Sequence, residues 1–262
     1  MGSVLEKTVC GIKEPLVFWR WSNMAGTPDS SRVSGSSNVE SLSISTVDGR
    51  KLQGYQLKAV SSGRELTTNA SGYLLVAQGN AMLADQILDS FMEFSRAGFD
   101  VYIFDYRGYG RSQGKRRLKA IVSDYREIID HLDSQLYSTR LYYGMSFGGI
   151  VLLDALNGRA EDRLVVIDST PSRLSDYGCL QMYDPVENLP KDSSNLLFVV
   201  GLKDRVVKPA MSRELVELAK VRGASVMTDP EMAHPFMDQN MLIHNRRIKA
   251  IKSFLLQEET TD

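Results

Sequence analysis

A glycine-framed serine between a strand and a helix constrains this chain more than any other feature. Leu141-Tyr142-Tyr143 is a short β-prone run, Gly144-Met145-Ser146-Phe147-Gly148 follows it, and Ile150 to Leu156 continues as an apolar helix. A Gly-x-Ser-x-Gly turn this tight forces its serine into a strained backbone conformation and leaves no room for a Cβ at the flanking Gly144 and Gly148. Ser146 is thereby held out at the top of a sheet, at a helix N-terminus whose free N–H groups and dipole favour developing negative charge. The same letters also describe a glycine-rich helix start with an incidental serine, so the rest of the chain has to decide.

A length of 262 residues with 43% hydrophobic and 24% charged side chains suffices for one large α/β domain. A net charge of -1 gives no nucleic-acid footprint, and Lys115-Arg116-Arg117 reads as a solvated loop. Cys10 and Cys179 stand far apart and outside any Cys-x-x-Cys or Cys/His spacing. They predict neither a zinc site nor a disulfide framework, and they suggest a reducing, cytoplasmic setting. The sequence contains no membrane-spanning apolar run and no signal-peptide core near its start; Met1-Gly2-Ser3 begins like a myristoylation signal but has Glu6 where Ser or Thr is needed.

Residues 1–38 read as an N-terminal extension and linker, and 39–262 as the folded domain. The exception in the extension is Leu16-Val17-Phe18-Trp19-Arg20-Trp21, read as an edge strand or packing segment, or else as a patch for a membrane interface or partner. Membrane association is expected only through this part of the chain. Ser41–Val47 and Lys51–Val60 around Asp48-Gly49 predict a hairpin. Strands then alternate with helices: a strand at 73–77, a helix at 81–97, a strand at 100–104, and an amphipathic helix marked by Leu118, Ile121, Val122, Tyr125, Ile128, Ile129 and Leu132. After the Ser146 helix come strands at 164–167 and 196–200, a helix at 210–221, a strand at 224–227 and a last helix at 241–256. This order predicts a mostly parallel sheet covered by helices on both faces, preceded by an antiparallel hairpin.

Ligands of such sheets bind beyond the carboxyl ends of the strands, so reactive groups are expected at those ends. Gln78-Gly79-Asn80-Ala81 is a turn into a helix, and its Asn80 N–H with that of Phe147 is a candidate oxyanion hole. Asp105-Tyr106-Arg107-Gly108-Tyr109-Gly110-Arg111-Ser112-Gln113-Gly114 lacks the lysine-bearing helix start of a phosphate loop and reads as structural. A serine nucleophile needs an imidazole to take its proton and a carboxylate to orient that imidazole, in chain order Ser, acid, His. His131 precedes the serine and His244 lies inside a helix, whereas His234 sits on a loop after the last strand. Asp204, just past the strand at 196–200, is the favoured acid, with Asp168 at the end of the preceding strand as the alternative.

Taken together, Gln78-Gly79-Asn80-Ala81, the Asp105–Ser112 loop, Gly144–Gly149, Gly201-Leu202-Lys203-Asp204 and His234 resemble the α/β-hydrolase superfamily from about residue 40 onward. They are most similar to its compact serine hydrolases of the α/β-hydrolase-domain group, which includes serine aminopeptidase-like and acyl-protein-thioesterase-like members. Gln78 departs from the pattern, since that family has a histidine there which helps to hold the oxyanion loop. The resemblance implies an α/β-hydrolase fold, hydrolysis of a small-molecule ester or thioester through an acyl-enzyme, and no metal or organic cofactor. Only about 25 residues separate the strands on either side of 170–195, which implies little or no lid. Met145, Leu180 and Met182 are then expected at the substrate mouth, with Leu180, Met182 and Tyr183 as a small flap. An aminopeptidase or amidase on the same fold, or a non-catalytic ligand- or partner-binding protein, are the competing readings.

Overall fold

The computed structural model describes residues 8–60, 67 and 69–258; Met1-Gly2-Ser3 and Glu6 lie outside them. Two compact units make up the chain, Pro15–Tyr142 and a second formed by Met1–Glu14 with Tyr143–Asp262.

In the first unit, helix α1 (Glu14–Met24) occupies the stretch for which an edge strand was one expectation. Pro15 in the first turn is compatible with a helix start, and Phe18 and Ser22, four residues apart, turn inward and are buried. The packing alternative is therefore the right one for Phe18, and it leaves Leu16 and Trp19 half-exposed. The hairpin is present as β1 (Val39–Ser45) and β2 (Lys51–Leu57), paired antiparallel from Val39↔Leu57 to Ser45↔Lys51. Gly49 takes φ 76° in its turn, and Thr46 Oγ1 accepts the Arg50 N–H at 3.0 Å.

Strand β3 (Gly72–Ala77) is buried along its whole length. The single helix expected at 81–97 is instead α2 (Ala84–Ile87) and α3 (Met92–Arg96), joined by a tighter turn at Leu88–Phe91. Asp105 Oδ1 takes the Ala84 N–H at 2.9 Å and so sets the start of α2, and Ile87 leaves helical dihedrals at φ -121°. β4 (Phe99–Phe104), α4 (Leu118–Asp133) and β5 (Thr139–Met145) follow, and the strand order is β1-β2-β4-β3-β5. The loop after β4 is structural, as its composition suggested: Arg107 donates to Asp124 Oδ2 of α4 through Nε at 2.9 Å and pairs with Asp48 of the hairpin turn.

The second unit takes up the last residues of β5 and continues through α5 (Phe147–Ala155), β6 (Leu164–Asp168), α6 (Pro185–Asn188), β7 (Leu196–Gly201), α7 (Pro209–Val221), β8 (Ser225–Asp229) and α8 (Met241–Leu255). Its strand order is β5-β6-β7-β8, with β6, β7 and β8 parallel. Helix α5 is buried on every side, as expected from its lack of any polar face. Between β6 and β7 there are only α6 and single turns at Ser175–Tyr177 and Gln181–Tyr183, so no large lid is built.

One expectation fails outright. Cys10 and Cys179 form a disulfide across 169 residues of sequence, and the Val9 N–H adds a 2.7 Å bond to the Tyr177 carbonyl. Nothing in local spacing could announce a partner so distant. A disulfide persists in oxidising surroundings, which removes the reason for placing the chain in a reducing compartment. No helix among the described residues is long and apolar enough to cross a membrane.

Closing so long a loop restricts the unfolded chain, so Cys10→Ser with Cys179→Ser should lower the unfolding free energy by about 2–4 kcal/mol. Urea unfolding of the parent with and without reductant should show the same loss, and coincident curves would mean that the bond contributes nothing.

Candidate active site

Ser146 sits where β5 passes into α5, at φ 55° and ψ -117°, in a region that non-glycine residues rarely adopt. Three contacts hold it there. Its N–H donates to the Asp168 carbonyl at 2.8 Å, and its own carbonyl accepts from the Gly149 N–H at 3.1 Å and from Thr170 Oγ1 at 3.0 Å. A Cβ on Gly144 would lie 2.8 Å from the Gly148 oxygen, and one on Gly149 only 2.0 Å from Thr170 Oγ1. Gly144 is thus required as expected, and Gly149 joins it for a reason invisible before Thr170 was placed.

Asp204 and His234 meet. His234 Nδ1 lies 2.8 Å from Asp204 Oδ2, and both side chains are largely buried. The other carboxylate oxygen accepts the Val206 and Val207 N–H groups at 2.8 and 2.9 Å. Burial pushes the Asp204 carboxyl upward, but the hydrogen bond and charge of His234 and the two backbone donors outweigh it, so its pKa falls below the ordinary 3.8. The stabilisation that this shift carries is complete above the unfolded value and is lost as pH falls through the lowered folded one. With Nδ1–H donated to the carboxylate, Nε2 keeps its lone pair free to accept a proton.

The loop bearing His234 is fixed to the end of β7. Leu202 N–H donates to the Asp229 carbonyl and Lys203 N–H to the Met232 carbonyl, each at 2.9 Å. Gly201 permits this approach, since a Cβ there would lie 2.4 Å from the Met232 oxygen.

Asp168, the alternative acid, has other work. Both of its carboxylate oxygens accept from Arg247 Nη1, at 2.8 and 2.9 Å, and Tyr143 Oη and Ser169 Oγ donate to it at 3.0 Å. Arg247 is wholly buried, and it also donates to Asp238 through Nε and Nη2 at 3.0 Å and to the Ala233 carbonyl at 2.6 Å. Asp238 in turn accepts the Ala233 N–H at 2.8 Å. Sequence reasoning missed this cluster, although a signal existed: Arg247 falls on the buried stripe of α8 that runs through Ile243, Ile248, Ile251 and Leu255. An arginine on such a face demands buried acids.

The remaining candidates sort by exposure. His131 is an exposed residue of α4, and His244 is buried with its ring 4.8 Å from that of Phe236; burial, the largest influence, lowers its pKa. Leu180 and Met182 are 66% and 60% exposed, whereas Tyr183 is buried, which removes it from an exposed flap. Met145 has no exposed surface, so its expected place at a mouth is corrected to the interior of β5. Phe147 opens α5 and is buried; Asn80 stands half-buried in the turn after β3, where Gln78 Nε2 donates to the Phe104 carbonyl at 2.9 Å. Among the described residues no cluster of three His, Cys, Asp or Glu is arranged to hold a metal ion.

Removing one partner of a buried ion pair leaves the other uncompensated, so Arg247→Met should cost about 3–5 kcal/mol of stability. Adding Asp168→Asn should recover part of that loss in urea unfolding; simple additivity of the two losses would show that the pair is not coupled.

Comparison with known proteins bears on the fold. A family model described as serine aminopeptidase, S33, matches residues 68–171. A protein of Saccharomyces cerevisiae named as an uncharacterized membrane protein is 26% identical over 266 residues, covering 93% of this chain and 88% of its own. Among solved structures, the Pyrococcus furiosus esterase Pf2001 superposes with a TM-score of 0.65 at 17% identity, over 84% of this chain and 92% of that one. XC6422 from Xanthomonas campestris, described as a serine hydrolase without lid, does so with a TM-score of 0.63 at 16% identity, over 87% and 98%. In its mostly parallel sheet, its strand-to-helix serine turn and the short connection between β6 and β7, the chain has the fold of these α/β-hydrolases and is similar to them.

Proposed function

We propose that the chain is a serine hydrolase that cleaves a carboxylic ester or thioester through an acyl-enzyme. The observation that carries this reading is the 2.8 Å contact of His234 Nδ1 with an Asp204 carboxylate anchored by two backbone N–H groups, in a unit whose Ser146 is held in a strained elbow. Ser146 Oγ attacks the acyl carbonyl while His234 Nε2 takes its proton, and Asp204 stabilises the imidazolium that results. The proposed oxyanion donors are the backbone N–H groups of Phe147 and Asn80. His234 then protonates the leaving oxygen or sulfur, and water releases the acyl group by the same steps in reverse order. No metal or organic cofactor enters this scheme.

An aminopeptidase is the second reading, favoured by the name of the matching family model. Such an enzyme needs an acidic group to receive a free α-amine. Glu231 lines the cavity beside His234, but its carboxylate accepts from Arg246 at 3.0 Å. That engagement supports the ester reading.

Ser146→Ala should lower kcat/KM on p-nitrophenyl butyrate by about a thousandfold or more and abolish labelling by a fluorophosphonate probe. Retention of activity within about tenfold would overturn the assignment, because triad members act as a unit. Asp204→Asn should cost about 10⁴-fold in kcat, whereas Asp168→Asn should act mainly through stability. A greater loss of kcat in Asp168→Asn would move the acid to β6. With only short turns between β6 and β7, kcat/KM should stop rising along the series from acetate to palmitate esters once the acyl chain outgrows its apolar wall, each useful methylene adding about 0.8 kcal/mol.

A further inference from the structure

The cavity beside His234 carries unbalanced positive charge. It has a volume of about 300 Å³, and its wall includes Lys203, Arg205, Val206, Glu231, His234 and Met237. Glu231 is already engaged by Arg246, and among the described residues neither Lys203 nor Arg205 has a carboxylate partner. These two cations flank Asp204, which turns inward to His234 while both neighbours stay exposed. Their backbone is rigid: Lys203 N–H is bound to the Met232 carbonyl at 2.9 Å, and Asp204 Oδ1 gathers the next two N–H groups after Arg205. The backbone that carries the two cations is therefore anchored beside the imidazole.

His234 delivers its proton to the departing atom, so a group lodged against it is the leaving group. We propose that the leaving group of the physiological substrate is anionic, an alcohol or thiol bearing phosphate or carboxylate charge. Lys203 and Arg205 receive that charge, and Val206 and Met237 cover the apolar arm behind it. The acyl–oxygen or acyl–sulfur bond breaks, water supplies hydroxide to the acyl carbon and a proton to the leaving atom, and nothing is oxidised or reduced. This assignment rests on the serine-hydrolase reading and narrows its substrate class.

Three butyryl thioesters with one acyl group test it: butyryl-coenzyme A, S-butyryl pantetheine, which keeps the thiol arm but lacks the phosphates, and cationic butyrylthiocholine. In the parent at low salt, kcat/KM for the coenzyme A thioester should exceed that for the pantetheine thioester by about tenfold or more, mainly through KM, and the ratio should shrink as salt screens the charges. Lys203→Met with Arg205→Met should bring the ratio close to one. Lys203→Glu with Arg205→Glu should reverse the order between the coenzyme A thioester and butyrylthiocholine. Both side chains are exposed, so these variants should fold, and thermal unfolding checks that they do. A parent ratio near one, or a ratio that the variants leave unchanged, overturns the anionic leaving group while hydrolysis itself persists. Failure to cleave any of the three, together with no fluorophosphonate labelling of Ser146, overturns the hydrolase reading and this inference with it.

Discussion

Asp168 is the residue through which the candidate site is held together, and it uses two different parts of itself to do so. Its carbonyl takes the Ser146 N–H and helps keep that residue in a backbone region it would otherwise avoid. Its carboxylate neutralises Arg247, whose other donors grip Asp238 and Ala233, next to His234. One position at the end of β6 is thereby tied both to the elbow and to the histidine loop. The strain at Ser146 persists because its surroundings over-determine it, and a fully paired guanidinium is a stiff way of doing that in a low-dielectric interior.

Much of the architecture could be read from period and punctuation. The hairpin around Asp48-Gly49, the buried β3 and the seven-position stripe of α4 follow from alternation, turn chemistry and 3.6-residue spacing. The failures have tertiary causes. α1 forms from a stretch with little amphipathic pattern, because burial of Phe18 decides its state, and the helix expected at 81–97 starts only where Asp105 claims the Ala84 N–H and is broken where Ile87 leaves helical dihedrals. For the site, chain order and loop position sufficed to pair His234 with Asp204, since two of the three histidines lie on helices. Order could not reveal that Asp168 is occupied, because its partner lies 79 residues away on α8. Nor could it place Met145, because β5 is covered on both faces and every residue from Leu141 to Met145 is buried.

Charge in the second unit falls into two physical regimes. Arg247 with Asp168 and Asp238 is sealed from water and satisfied on every side, so it confers rigidity and responds little to salt. Lys203 and Arg205 stand in solvent a few residues away on the Asp204 loop, free to meet a ligand and open to screening. Under the proposed function, the neutralised interior holds the candidate triad and the exposed cations select what approaches it.

The Cys10–Cys179 bond turns most of the chain into a covalent ring. The ring runs from Cys10 through α1, all strands from β1 to β6 and the Ser146 elbow before it closes. A single proteolytic cut anywhere inside it opens the ring without dividing the molecule, and the severed α1 side remains bonded to the segment that follows β6. Only a second cut, or a reductant, releases a fragment. Limited proteolysis read on a reducing gel therefore reports where the chain is cut, whereas the same digest without reductant reports whether the protein has come apart.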